Sequence, residues 1–154
     1  MIFNRQKKVP IREPRLTAFL SAVLRELNIN GAEISIAFVS NHEIAKWNAK
    51  FRGKKGPTDV LSFPALYEGG VAGQRQTKSR AGLRSRGAVG FLGDVAIAPE
   101  TAARYARQNG RTLEAELRVL ILHGVLHLMG YDHENDQGQM NRIEQKLRRR
   151  LGIE

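Results

Sequence analysis

The chain has 154 residues, a length that favours a single domain. Hydrophobic residues make up 42% and charged residues 26%, enough apolar material for a core, which excludes wholesale disorder. Cysteine is absent, which removes disulfides, thiolate metal ligands and cysteine nucleophiles together.

The longest strictly aliphatic run, Val119 to Leu122, is far shorter than the roughly 20 residues a membrane span needs. The N-terminal residues show no apolar stretch behind their charges, so no secretory signal is expected and the expected setting is the cytoplasm. Twenty-five Lys and Arg against 15 Asp and Glu leave a net charge of +10. Nineteen of the 25 fall in Arg5–Arg15, Lys50–Lys55, Arg75–Arg86 and Arg142–Arg150. One such run is usually a solvated surface; four shift the expectation to a nucleic-acid partner. Aromatic residues are only 6%, so composition shows no platform for stacking single-stranded bases.

Leu16, Phe19, Leu20, Val23, Leu24 and Leu27 recur at helical spacing, and the residues from Asn28 to Gly31 end that helix. Residues 32–39 alternate as in a half-buried strand, with Ile34, Ile36 and Phe38 on one face. Ser40 and Glu43 form a capping box that opens a helix with a buried stripe of Ile44, Trp47 and Phe51. His42, in its first turn, reads as exposed. A Gly53–Pro57 turn leads to a strand from Val60 to Phe63, stopped by Pro64.

Residues 68–89 show neither period and read as a flexible basic insertion. Phe91 to Ile97 is a third strand, and Pro99 starts a helix that stops at Asn109-Gly110. Leu113 to Met129 is apolar almost all round in its second half and should be buried, with Gly130 ending it. A last helix from about Asp136 carries Met140, Ile143, Leu147 and Leu151 on one face. The expected fold is α+β: a single domain over 1–154, a small mixed β-sheet packed by helices.

Three of the four histidines, His123, His127 and His133, lie in HGVLHLMGYDH. Positions four apart share a helix face, so two imidazoles can reach one point. A left-handed Gly130 would turn the chain and bring His133 back to it. Three neutral imidazoles suit a zinc-like ion with a fourth position open to water or substrate, the mark of a catalytic site. A single histidine on an apolar helix is more often a hydrogen-bonded core residue, but three at this spacing are hard to satisfy otherwise.

The spacing is also that of metzincin peptidases, whose general-base Glu is here replaced by Gly124. The ligand geometry is therefore supported and the peptidase reaction is not. Asp132, Glu134 and Asp136 surround His133. Asp132 reads as an acceptor for a ligand's ring N–H and is the acid of the three nearest to chemistry. Glu134 and Asp136 suit the start of the last helix.

HGVLHLMGYDH resembles the signature of the YbeY family of bacterial endoribonucleases. Further matches are Asn48-Ala-Lys-Phe51-Arg52-Gly53, Pro57-Thr58-Asp59-Val60-Leu61-Ser62-Phe63-Pro64 and Leu92-Gly93-Asp94-Val95, in the family's order from about residue 34 to 135. The resemblance implies a metal-dependent, single-strand-specific endoribonuclease in ribosomal RNA maturation, at the small-subunit 3′ end, and in ribosome quality control. It implies one zinc ion held by His123, His127 and His133, and Arg52 as the functional arginine. It also implies partners on the ribosome: a small-subunit protein or an assembly GTPase. The segment 68–89 is longer and more basic than the family usually carries.

The expected chemistry is phosphodiester cleavage, with the Arg52 guanidinium paired to the phosphate and Asp132 beside the ion. Asp59, Ser62 and Asp94 sit at strand edges and receive no catalytic role. Two rival readings are a zinc hydrolase of peptides or small molecules, and a non-catalytic RNA-binding ribosome-assembly factor.

Overall fold

The computed structural model describes residues 1–65, 90–132 and 136–153. His133, Glu134 and the whole of the 68–89 insertion lie outside them. The elements are β1 (Ile2–Asn4), α1 (Glu13–Glu26), β2 (Glu33–Phe38), α2 (Asn41–Arg52), β3 (Val60–Pro64), β4 (Phe91–Ile97), α3 (Pro99–Gln108), α4 (Leu113–Leu128) and α5 (Gln139–Leu151). The expected α+β domain is found. One strand was not expected: β1 is three residues long, too short to show a period.

The sheet order is β1-β2-β4-β3. β1 and β4 flank β2 in parallel, and β3 closes the other edge antiparallel to β4. Residues paired across a ladder share a face. Ile34, Ile36 and Phe38 therefore lie with Gly93, Val95 and Ile97 on one side, where they meet α1 and α4 in the main core. Phe38 and Ile36 are fully buried, worth about 1.5–3 kcal/mol each over exposure. The other face is smaller and is covered in part by α2 through Ile44 and Trp47 against Leu61 and Ala96.

Local chemistry sets the element ends. The Ser40 side chain accepts from the Glu43 N–H at 3.1 Å, as expected, but the Glu43 carboxylate reaches Arg5 at 3.0 Å instead of closing the box. Thr112 caps α4 in the same way, accepting from Ala115 at 3.1 Å. The last helix begins at Gln139, a little later than expected, because Asp136 stands before it and accepts from the Gly138 and Met140 N–H groups at 2.9 and 2.8 Å. Phe51 departs from the expected buried stripe and is 57% exposed. Among the described residues no helix is long and apolar enough to cross a membrane.

Candidate metal centre

α4 runs through the middle of the molecule, packed on β3 and β4 and flanked by α1, α3 and α5. Its second half is buried on nearly every side, through Leu120, Ile121, Leu122, Val125, Leu126 and Leu128. His123 and His127 are the half-buried exceptions. Their rings meet edge-on, with centroids 4.6 Å apart and planes at 71°, and the two Nε2 atoms approach to 3.0 Å.

Two nitrogens held by one tetrahedral zinc ion at 2.0–2.1 Å lie about 3.3 Å apart. The imidazole pair is therefore already close to chelating geometry. His127 occupies the last turn of α4, where the backbone carbonyls favour a positive charge.

The turn after α4 is built as the glycine suggested. Gly130 takes φ +104, its N–H donates to the His127 carbonyl at 3.0 Å, and the Tyr131 N–H donates to the Leu126 carbonyl at 3.1 Å. This paired closure is the Schellman motif. Tyr131 and Asp132 follow, both half-buried. Among the described residues no group of three His, Cys, Asp or Glu side chains is placed to hold an ion, and His133 falls outside them.

A residue the sequence did not single out completes the visible part of the site. Glu144 of α5 is buried, 7% exposed, and its Oε1 lies 3.4 Å from the Nδ1 of His123. Arg148, one turn on, stands 3.9 Å from the other carboxylate oxygen. With Nδ1–H donating to Glu144, a neutral His123 carries its lone pair on Nε2, the atom turned toward His127. The only sequence signal was that Glu144 is the single acid in the stretch from Met140 to Leu151.

Arg52 is not brought to the imidazoles. It is the exposed last residue of α2, and α2 packs on the sheet face opposite α4. Its side chain makes no hydrogen bond or ion pair with another described residue. Asp59 immediately precedes β3; burial pushes its carboxyl above the ordinary range, and the nearby Glu116 carboxylate adds to this against hydrogen bonds from backbone N–H groups and Thr58. Glu116 is itself paired with Arg111 at 2.7 Å. Asp59 thus belongs to the packing at the start of β3. His42 is exposed, as expected.

A family model described as Endoribonuclease YbeY matches residues 1–152. An Endoribonuclease YbeY of Koribacter versatilis is 36% identical over 153 residues, covering 99% of this chain and 86% of the relative. One from Aquifex aeolicus is 38% identical over 128 residues, 83% of this chain and 74% of the relative. A protein of Thermotoga maritima solved in solution superposes with a TM-score of 0.61 at 27% identity, covering 98% of this chain and 89% of the other.

Proposed function

The chain belongs to the Endoribonuclease YbeY family, and from that premise we propose that it cleaves single-stranded RNA as a zinc-dependent endoribonuclease. Its proposed substrate is ribosomal RNA, at the small-subunit 3′ end and in ribosome quality control. A small-subunit protein or an assembly GTPase is the proposed partner, and the cytoplasm the proposed setting. The observation that carries the site-level reading is the 3.0 Å approach of the His123 and His127 Nε2 atoms at the end of a buried helix.

One zinc ion per chain would be held by His123, His127 and His133. When bound, such an ion supplies Lewis acidity toward a phosphoryl oxygen and lowers the pKa of water. With Glu144 accepting the His123 Nδ1–H, the lone pair would lie on Nε2, the nitrogen that would hold the ion. Asp132, two residues past Gly130, is assigned to a ring N–H or the water of the same site. Arg52 would pair with a phosphate of the RNA, where a guanidinium fork offers two parallel donors. The basic stretches hold the backbone without reading sequence, so binding weakens steeply with salt.

The peptidase reading is weakened by packing as well as by sequence. A side chain on Gly124, where metzincins carry the general base, would run into Val95.

Incubating the purified protein with labelled single-stranded ribosomal RNA and with casein, with and without chelator, tests this reading. Chelator-sensitive cleavage of RNA alone is expected, together with its loss in a folded His123→Ala protein. Equal cleavage by that variant would remove the enzyme reading. Cleavage lost while ribosome maturation in cells persists would favour the assembly-factor reading.

A further inference from the structure

Among the described residues the sheet face away from α4 is only partly covered. Its register sets Phe3, Ala37, Ala96 and Leu61 in one row and Ser35, Asp94 and Phe63 in the next. The small residues in the middle leave a trough of about 570 Å³, walled by Trp47 and Phe51 of α2 and by Phe3 and Arg5. Four of the chain's ten aromatic residues line it. Phe51 and Phe3 are 57% and 44% exposed.

The aromatic rings brace one another and still leave faces open. Phe63 takes Phe51 edge-on at 5.4 Å and Trp47 at 6.2 Å. The rim beside them is cationic. Lys50 Nζ lies 5.3 Å from the Phe51 ring centroid, and Arg52, Lys54 and Lys55 follow, all exposed. Arg5 is balanced by Glu43. Exposed flat rings beside a run of cations match bases joined by phosphates, because every base has a π-face and every linkage an anion. An apolar protein segment would leave those cations without counter-charges.

We propose that this trough is a nucleobase subsite for single-stranded RNA. Phe51 and Trp47 stack bases, Ser35 and Asp94 meet base edges on the floor, and residues 50–55 carry the flanking phosphates. The inference rests on RNA being the substrate and adds where the strand is gripped. Duplex RNA, whose bases are already stacked and paired, is excluded from it.

Trp47 is the only tryptophan and therefore reports on the trough directly. The purified full chain is mixed with a short single-stranded oligoribonucleotide, and emission is read within seconds, before cleavage accumulates. A saturable quench is expected, with little response to the same sequence as a duplex. Phe51→Ala, at an exposed position, should weaken binding roughly fivefold or more. Asp94→Asn, a second exposed position, tests the floor and should also shift the affinity. If the single strand retards the wild type in a gel but leaves Trp47 unquenched and both variants bind as tightly, the trough belongs to a protein partner and this inference is overturned. If no RNA is bound or cut, the endoribonuclease reading falls with it.

Discussion

Gly124 of α4 lies so close to Val95 of β4 that a methyl group on it would come within 2.8 Å of Cγ1 and 3.0 Å of Cγ2. The glycine stands between His123 and His127 in sequence, and this close approach is what seats the histidine-bearing half of α4 on the sheet. Val95 is buried and β-branched, with little freedom to turn away. Gly124→Ala would gain about 1 kcal/mol of helix propensity and lose about 1–3 kcal/mol to overpacking. A net loss of stability is expected in urea unfolding, with much of it recovered when Val95→Ala opens the space. A more stable single variant would contradict the packing described.

Gly93 is held still more tightly. Its φ is +144, and a methyl there would meet the Phe63 carbonyl oxygen, Leu128 Cδ2 at 2.8 Å and Pro64 Cα at 2.9 Å. Two of those atoms are backbone and cannot yield. Gly93→Ala should cost about 2–4 kcal/mol, adding backbone strain to steric overlap. Circular dichroism melts would show it, and a Tm within a degree or so of wild type would refute it.

The Glu144–His123 contact predicts a metal-affinity effect without a large loss of fold. Glu144→Gln keeps the shape and an acceptor but removes the charge. Loss of such an orienting partner weakens metal affinity by about 10- to 100-fold. Competition for zinc against a chromogenic chelator measures this directly. Unchanged affinity, with only the melting temperature lowered, would make Glu144 a structural partner of Arg148 and nothing more.

Features confined to one turn or one period were legible in the sequence. The Ser40 cap, the Gly130 turn, the buried α4 and the His123–His127 pairing each depend on residues a few positions apart. β1 was not legible, because three residues joined in parallel to a strand more than 30 positions away leave no local trace. Glu144 is 21 residues from His123 and becomes visible only when α5 packs beside α4. The aromatic trough was hidden for the same reason: few aromatics overall concealed that Phe3, Trp47, Phe51 and Phe63 fold onto one face. The composition argument counted them and could not place them.

Asp59 gives a pH-dependent prediction with a definite sign. Burial and the Glu116 charge raise its carboxyl above the ordinary value of 3.8, so the native state holds that proton more tightly than the unfolded chain. Its contribution to stability is fully present below 3.8 and is lost as pH rises through the folded value. At neutral pH the buried charge is therefore a net burden. Asp59→Asn keeps an oxygen for the Val60 N–H and removes the charge. The variant should melt above wild type at neutral pH, with the gap shrinking as pH falls toward 3.8. Melting both proteins across that range decides it: a pH-independent difference would assign the effect to packing, and a gap that widens in acid would reverse the electrostatic argument.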